Sequence, residues 1–371
     1  MRVSALTLRD FRNYERAELM TGGGLTVVVG PNGAGKTNLL EALYFGCTGR
    51  SSRTSNEREL IRRGCELTRV TVTTDDDAGT THLLEVGFSP GQPKTLRVDG
   101  AAVENLSRSH ARPLVSVFLP ERLELVKGAP AARRAHLDQL VGALWPARTD
   151  TRSAYSRALA QRNGLLARIR AGLASPASLS SWDAELARHG WRLMADRAQA
   201  LELVASGFET RASQLGLPQT AQVRYRPRSR AESPSGLAAE LAGRRQADLE
   251  RGFTAHGPHR DDLELLHGDA ALRTYGSQGQ QRVALLALLF AERDVLAAER
   301  GRPPLMLLDD VMSELDDVRR ELLSDLLRTT GQAIVATTDL DHVPGARDPD
   351  VGLVEVGGGS ARAVGSTEVA A

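Results

Sequence analysis

The chain has 371 residues, of which 41% are hydrophobic and 25% charged, and a formal net charge of +1. This composition is ordinary for a globular protein, and the near-neutral balance excludes a globally basic nucleic-acid-binding chain, so any contact with DNA must be local. The longest apolar run, residues 283–291, is too short to span a bilayer, the N-terminus lacks the apolar stretch of a signal peptide, and Cys47 and Cys65 have neither a C-x-x-C nor a zinc spacing. We therefore expect a reduced, cytoplasmic protein with no membrane partner.

The first third of the chain predicts strands and one helix. Weak alternation predicts a strand over 3–9, and a β-branched run predicts a buried strand over 25–29. A helix should begin at Thr37. Further strands are predicted over 69–74, 82–88, 95–98 and 113–119.

From about residue 130 the chain is dominated by Ala, Leu, Arg and Glu, which predicts helices. The predicted helices cover 130–145, 149–173, 178–213 and 235–252. A mixed pattern then returns, with strands over 262–266, 305–309, 332–337 and 351–356 and helices over 278–299 and 315–328. The Gly- and Ala-rich tail from Gly357 is expected to fray.

A glycine-rich loop, G-P-N-G-A-G-K-T, lies between the predicted strand 25–29 and the helix at Thr37. It matches the P-loop pattern at every fixed position, and a chance match is rare because the chain has only three lysines. Its backbone N–H groups and the helix N-terminus suit phosphate, Lys36 should reach the β- and γ-phosphates, and Thr37 should hold Mg²⁺. The expected ATP-binding residues here are Gly30, Pro31, Asn32, Gly33, Ala34, Gly35, Lys36 and Thr37. The alternative is a glycine-rich turn with a surface lysine.

A second motif, L-M-L-L-D-D, ends the predicted strand 305–309 in two carboxylates. In a parallel sheet that end faces the ligand, so Asp309 suits Mg²⁺ coordination and Asp310 could polarise an attacking water. We therefore predict Asp309, Asp310 and Lys36 as the catalytic residues and Thr37 with Asp309 as the metal site. The alternative is a strand end with two solvated aspartates.

A third motif, S-Q-G-Q-Q-R at 277–282, opens a predicted helix. A serine hydroxyl and a helix N-terminus can bind a γ-phosphate, which predicts Ser277, Gly279 and Gln280 as further nucleotide contacts. A polar helix cap is the alternative. His256 and His259 form an H-x-x-H pair that could bind a metal, although it precedes a strand and hydrogen bonding is the better interpretation.

Several segments together resemble the RecF family of SMC/Rad50-like, ABC-type ATPases. They are L-R-D-F-R-N-Y at 8–14, residues 30–43, H-G-P-H-R-D-D-L at 256–263, and the S-Q-G-Q-Q-R motif. The resemblance implies an α/β P-loop ABC-type ATPase head, split into 1–127 and 253–371 by a helical insertion lobe at 128–252. It implies an ATP-dependent homodimer in which Ser277 of one copy meets ATP on the other, places Arg12 near the nucleotide, and implies DNA, RecO and RecR as partners.

The chain also departs from related patterns. Asp310 stands where ABC-type ATPases usually have glutamate, which favours slow hydrolysis. Ser52 replaces a phenylalanine usual in this family, and the neighbouring Arg53 is a candidate phosphate or DNA contact. The histidine that follows the last core strand in ABC transporters is absent; Thr337 and Asp339 lie there instead.

Two arginine clusters are candidates for a DNA surface. One comprises Arg133, Arg134, Arg148, Arg152, Arg157, Arg162, Arg168 and Arg170. The other comprises Arg224, Arg226, Arg228 and Arg230, whose alternation would put them on one face of a strand. Either cluster could bind phosphates, and either could be a solvated surface.

The expected function is ATP-dependent DNA binding in recombinational repair and replication restart, on single-stranded, gapped or junction DNA. Whether the chain is an ATPase is left open; a slow, DNA-stimulated ATPase is favoured over an ATP-gated scaffold with negligible turnover. A P-loop kinase and a transporter ATPase subunit are further alternatives. The S-Q-G-Q-Q-R motif disfavours the kinase, and the helical insertion disfavours the transporter subunit.

Overall fold

The computed structural model describes residues 1–106, 109–329 and 331–364. The chain divides into two compact units, and each is described by itself. The first unit is made of Met1–Arg122, Gln214–Gly216 and Leu296–Ala371, and the second of Leu123–Ser213 and Leu217–Val295. The second unit thus includes residues 253–295, which the sequence assigned to the ATPase head. The predicted division at 127 and 252 followed motifs rather than contacts, and as a division by function it stays a prediction.

The first unit contains two six-stranded sheets. The antiparallel sheet has the order β2-β1-β4-β5-β6-β7 and consists of β1 (Arg2–Phe11), β2 (Tyr14–Met20), β4 (Thr68–Asp75), β5 (Thr81–Phe88), β6 (Thr95–Val98) and β7 (Ala101–Ala102). The second sheet has the order β15-β14-β3-β13-β12-β8 and consists of β3 (Leu25–Val29), β8 (Val115–Phe118), β12 (Leu305–Asp309), β13 (Ala333–Thr337), β14 (Gly352–Gly357) and β15 (Ser360–Val364). All its pairs are parallel except β14 with β15.

The parallel strands explain why short apolar runs alternate with polar loops in this unit. β3, β12 and β13 are buried along almost their whole length, as expected for strands covered on both faces. Helix α1 (Lys36–Thr48) packs against strands of both sheets, and its leucines belong to one apolar core shared with them. Because β3, β12 and β13 are adjacent and parallel, their carboxyl ends meet at one edge. That edge carries the P-loop and the two aspartates.

Most of the second unit is helical. Its helices are α2 (Glu124–Lys127), α3 (Pro130–Leu144), α4 (Thr149–Arg170), α5 (Leu179–Gln214), α6 (Pro234–Ala242), α7 (Arg245–Arg251), α8 (Leu272–Tyr275) and α9 (Gln278–Arg300), the last continuing into the first unit, where α10 (Asp317–Thr329) follows. A small antiparallel sheet, β11-β10-β9, is formed by β9 (Ala221–Arg226), β10 (Asp262–His267) and β11 (Ala270–Ala271). Within the described ranges, no helix combines the length and the apolar content needed to cross a membrane.

Buried ion pairs hold the helices of the second unit together. Arg162 is fully buried, and its guanidinium donates to Asp183 at 2.7 Å and to Asp248 at 2.8 Å. These contacts join α4 to α5 and α7. Burying a guanidinium costs several kcal/mol unless carboxylates accept its hydrogen bonds. The three helices can therefore pack around Arg162 only because Asp183 and Asp248 pair with it.

Most of the predicted elements are present, but three expectations were wrong. The tail does not fray throughout: positive φ angles at Gly358 and Gly359 form the turn that pairs β15 with β14, whereas residues 365–371 lie outside the described range. The helix predicted over 235–252 is two helices, because α6 ends at Ala242, is followed by Gly243, and α7 begins only at Arg245. Strand β2 was not predicted; it follows a tight turn in which Arg12 has a φ of 54°.

Candidate nucleotide-binding site

The P-loop connects β3 to α1, as its motif requires, and two of its glycines are fixed by close packing. A Cβ on Gly30 would lie 2.2 Å from the carbonyl oxygen of Val356. Gly35 has a φ of 116°, and a Cβ there would lie 2.6 Å from Nδ2 of Asn13. Only glycine satisfies both positions, and the resulting tight turn brings backbone N–H groups to the N-terminus of α1, a favourable place for phosphate.

Lys36 is the first residue of α1 and is bonded to its own loop. Its Nζ donates to the carbonyl oxygens of Gly30 at 2.7 Å and Pro31 at 3.0 Å. Burial lowers the pKa of Lys36, and the nearby Asp310 and Asp309 partly oppose that shift. The ammonium therefore lies inside the loop, held only by neutral carbonyls that a phosphate oxygen can outcompete.

The predicted metal pair is assembled. The hydroxyl of Thr37 donates to Oδ2 of Asp309 at 2.6 Å, across 272 positions of the sequence. Asp309 ends β12 and Thr37 lies in the first turn of α1, so the parallel sheet brings them together. A hydroxyl and a carboxylate oxygen are the hard ligands that Mg²⁺ prefers, and the chemistry of this pair fits the ion.

Asp310 has the strained geometry often found at functional sites. Its φ is 49°, in the left-handed region, and its backbone N–H donates to the carbonyl of Ala336 at 3.0 Å. Its Oδ1 is buried and has no hydrogen-bond partner among the described residues. A buried carboxylate oxygen without a donor is costly, so this atom has capacity for a water or a ligand.

The turn between β1 and β2 contacts both the P-loop and α1. The amide of Asn13 donates to the carbonyl of Ala34 at 3.1 Å, and the hydroxyl of Tyr14 donates to the carbonyl of Gly35 at 3.0 Å. The guanidinium of Arg12 binds both carboxylate oxygens of Glu41, each at 2.9 Å. Arg12, predicted from the resemblance to lie near the nucleotide, is thus anchored to the P-loop helix.

Glu41 is a site residue that sequence reasoning missed. Its side chain is buried on α1, and besides Arg12 it accepts from the hydroxyl of Ser51 at 2.5 Å and from Arg53 at 3.4 Å. Arg53 also donates to Asn38 at 3.2 Å. The available signal was a lone carboxylate in the apolar run N-L-L-E-A-L, four residues after Thr37. One carboxylate thereby fixes two arginines beside the P-loop.

Ser277, Gly279 and Gln280 belong to the second unit and form the N-terminus of α9. The N–H of Ser277 donates to Oε1 of Gln280 at 2.8 Å, and the N–H of Gln280 donates to the hydroxyl of Ser277 at 3.2 Å. The polar cap that was the alternative interpretation is therefore present, and the predicted nucleotide contact stays a prediction. The exposed Ser277 hydroxyl acts as acceptor in this cap, which leaves its proton available to a ligand.

Comparison with known proteins gives this arrangement a family. Residues 2–357 match the family model described as the RecF/RecN/SMC N terminal domain. A protein of Anaeromyxobacter sp. (strain Fw109-5), named DNA replication and repair protein RecF, is 38% identical over 97% of this chain and 98% of its own length. A protein of the same name from Streptomyces avermitilis is 37% identical over 93% of this chain. The chain belongs to the RecF family.

Solved structures agree with that assignment. The structure of the recombination mediator protein RecF with ATPrS, from the RecFOR pathway, superposes with a TM-score of 0.86 at 28% identity and covers 98% of both chains. An SMC head bound to part of ScpA gives a TM-score of 0.59 at 16% identity and therefore supports the fold alone. The predicted α/β ABC-type ATPase fold with helical content is confirmed.

The two histidines of the RecF-like H-G-P-H-R-D-D segment are hydrogen-bonded within the second unit. Nε2 of His256 contacts Glu240 at 2.5 Å. Nδ1 of His259 lies 2.6 Å from the hydroxyl of Tyr155, and its Nε2 lies 3.0 Å from the carbonyl of Thr254. Burial lowers the pKa of His259 to about 4, so the ring is neutral, with Nε2 as donor and Nδ1 as acceptor.

Two members of the first arginine cluster are internal and are excluded from a DNA surface, whereas Arg152, Arg157, Arg168 and Arg170 are exposed and stay candidates. Arg133 is buried and binds Asp262 through two hydrogen bonds of 2.7 and 2.9 Å, and Arg162 is fully buried. Neither can contact a phosphate without unfolding its surroundings. The second cluster differs, because Arg224, Arg226, Arg228 and Arg230 are all exposed on and after β9.

Proposed function

We propose that this chain is a cytoplasmic, ATP-dependent DNA-binding protein of recombinational repair and replication restart, which acts on DNA together with RecO and RecR. The observation that carries the proposal is the assembly of Lys36, Thr37, Asp309 and Asp310 at one edge of the parallel sheet. Such an edge is where open α/β sheets bind nucleotides. Family membership supplies the DNA repair context.

The roles follow from the chemistry of each group. The P-loop amides and Lys36 bind the phosphates of ATP. Thr37 and Asp309 hold Mg²⁺, which when bound neutralises phosphate charge. Asp310, with one buried oxygen unpaired, orients the attacking water and accepts its proton. Arg12 and Arg53, fixed by Glu41, add positive charge beside the P-loop.

We further propose that ATP joins two copies of the chain. The proton of the Ser277 hydroxyl is free to donate, and Gly279 lets the amides at the N-terminus of α9 approach an anion closely. In the ABC-type arrangement these groups, with Gln280, contact ATP held by the Lys36 of a second copy. Each site is then incomplete in a monomer.

Nucleotide binding is tested by Lys36→Met. The variant should lose at least about 100-fold in ATP affinity, because a charge-assisted contact to phosphate disappears. Lys127→Met, which removes an exposed lysine, is the matched control and should bind as wild type does. Titration calorimetry measures both, and an unchanged affinity in folded Lys36→Met would refute the P-loop assignment.

Dimer closure is tested by separating binding from assembly. Ser277→Arg should bind ATP normally, because its P-loop is intact, but should remain monomeric during sedimentation with ATP and Mg²⁺. Asp310→Asn should bind ATP and dimerise, yet turn over at least about 100-fold more slowly. Dimerisation of Ser277→Arg at the wild-type level would contradict the composite site.

The DNA part is tested on single-stranded, duplex and gapped DNA, each with and without ATP. We expect ATP to strengthen binding of wild type and to have no effect on Lys36→Met. A second candidate function, an ATP-gated scaffold with negligible turnover, is favoured by the short Asp310 side chain at the position usual for glutamate. A wild-type turnover no faster than the protein-free background would establish the scaffold, whereas equal and measurable rates for wild type and Asp310→Asn would move the general-base role to another residue.

A further inference from the structure

An apolar pocket of about 240 Å³ opens on the surface of the second unit. One wall is a stripe of α5 at helical spacing, formed by Trp191, Met194, Ala195 and Ala198. The opposite wall is the segment that leaves β9, from Tyr225 to Ala231. No residue of the predicted nucleotide site takes part in it.

Two aromatic side chains, Trp191 and Tyr225, and few polar groups line the pocket. Trp191 is half-buried at its edge, and the hydroxyl of Tyr225 donates to Asp261, which turns the polar end of that ring away from any ligand. The hydroxyl of Ser229 is already bonded to Glu240 at 2.6 Å. Such a site can stack on a planar group but has little means of reading hydrogen-bonding edges.

The charge beside the pocket is positive. Arg228 and Arg230 are exposed, and their guanidinium groups form no ion pair with another described residue. Two nearby carboxylates already have partners: Glu264 pairs with Arg226, and Glu240 is bonded to Ser229 and His256. On the segment itself, Glu232 is the remaining carboxylate near Arg228 and Arg230. An apolar slot flanked by unpaired arginines is complementary to a base with its phosphates.

We propose that this pocket binds one unstacked base of single-stranded DNA, with Arg228 and Arg230 on the adjacent phosphates. The volume is below the 300–1,000 Å³ or so of pockets for drug-sized ligands, and it suits a single planar group. Duplex DNA keeps its bases stacked and cannot fill the pocket. The inference rests on the proposed DNA-binding function and assigns the strand preference of that function to Trp191.

The test measures anisotropy of a labelled oligothymidylate and of a duplex of equal length, with ATP and Mg²⁺ present. Trp191→Ala should weaken single-strand binding between about 5-fold and 100-fold, because stacking on one base is lost, and should leave duplex binding unchanged. Trp191→Phe should retain most of the affinity. Ala198→Glu, which places a carboxylate at the exposed mouth, should act like Trp191→Ala and serves if that variant does not fold.

The arginines are tested separately through salt. The double variant Arg228→Ala/Arg230→Ala should lower the slope of log affinity against log salt by about 1.4 on single strands, since two phosphate contacts are lost. The matched control is Arg16→Ala/Arg69→Ala, two exposed arginines on β2 and β4 of the first unit, which should leave the slope unchanged.

The outcomes separate the pocket from the wider function. If wild type binds neither DNA, the DNA-binding function itself fails and the pocket assignment fails with it. If wild type binds but Trp191→Ala and Ala198→Glu do so equally well, only the pocket assignment is wrong. An equal loss on single strands and duplex would also overturn it, because a base pocket cannot act on stacked bases.

Discussion

Asp261–Asp262 and Asp309–Asp310 are both Asp-Asp pairs beside strand ends, and their surroundings in the structure are opposite. Asp261 precedes β10 and Asp262 begins it, and their carboxylates accept hydrogen bonds from Arg197, Tyr225, Arg133 and the backbone N–H of Arg228. Asp309 and Asp310 end β12, where one oxygen meets Thr37 and another has no partner among the described residues. The first pair is used in holding its unit together, whereas the second has capacity left for a ligand.

The difference shows how a structural carboxylate is told from a functional one. A buried carboxylate that accepts hydrogen bonds from several elements stabilises their packing. Burial raises the pKa of Asp261, and the hydrogen bonds that its carboxylate accepts partly oppose that rise. A carboxylate whose oxygen accepts no hydrogen bond, on a residue with a strained backbone, makes no evident contribution to the stability of the free protein. Measurements of stability test the structural role of the first pair, and measurements of nucleotide binding test the functional role of the second.

The largest effect is expected on removing an arginine that fills the first pair. Arg197 is buried on α5 and binds Asp138 at 2.7 Å as well as Asp261. Arg197→Met should lower the free energy of unfolding by about 3–5 kcal/mol, since two buried carboxylates each lose their charged partner on α5. Arg188→Met, on the same helix but exposed and paired only locally, should cost less than about 0.5 kcal/mol. Urea denaturation of both variants measures the contrast, and equal losses would contradict it.

A matched pair of substitutions compares the aspartates directly. Asp261→Asn should lower the free energy of unfolding by about 2–3 kcal/mol, because the NH₂ end of the amide would face N–H and O–H groups that now donate to the carboxylate. Asp310→Asn should change stability by less than about 1 kcal/mol, as asparagine tolerates a positive φ and the unfilled oxygen has no hydrogen bond to lose. Comparable losses in thermal unfolding would show that Asp310 is structural after all.

The neutral His259 gives the first region a dependence on pH. Its pKa is about 4 in the folded chain and about 6.5 when exposed, so the unfolded state binds the proton first as pH falls. Its contribution is fully present above about pH 6.5 and is lost as pH falls towards 4, which amounts to about 2 kcal/mol between pH 8 and pH 5. His259→Gln should flatten the stability profile by that amount; an unaltered profile would mean that the pKa of His259 is the same in the folded and the unfolded chain.

The smallest expected effect is on ATP affinity at the nucleotide site, the second of the two regions compared. Glu41→Gln should weaken ATP binding by roughly 5-fold to 10-fold, about 1 kcal/mol, because Arg12 and Arg53 lose the charge that positions them. Glu57→Gln, which alters the partner of Lys94 on the same unit, is the control. Since a structural role alone would lower stability and leave nucleotide affinity intact, affinity in the folded variant is the deciding measurement.

The sequence by itself determined the P-loop, the strand before it and the helix after it, and the family. These follow from local rules: glycine spacing, apolar runs of strand length and a helix predicted to begin at Thr37, one residue after the observed start at Lys36. The short motif also predicted that Thr37 and Asp309 belong to one site, and the structure brings them to 2.6 Å. Turn chemistry was less legible, as Arg12 in the β1–β2 turn and the glycines before β15 show.

Only the tertiary structure decided which charges are internal. Arg133 and Arg228 look alike in sequence, yet one is buried on Asp262 and the other is exposed and forms no ion pair with a described residue, because pairing depends on elements more than a hundred residues away. Glu41 likewise gained its role from Arg12 and Ser51, which the fold delivers from other elements. Residue type fixes what a side chain can bind, but burial and neighbours, which no local pattern encodes, fix whether that capacity is already used.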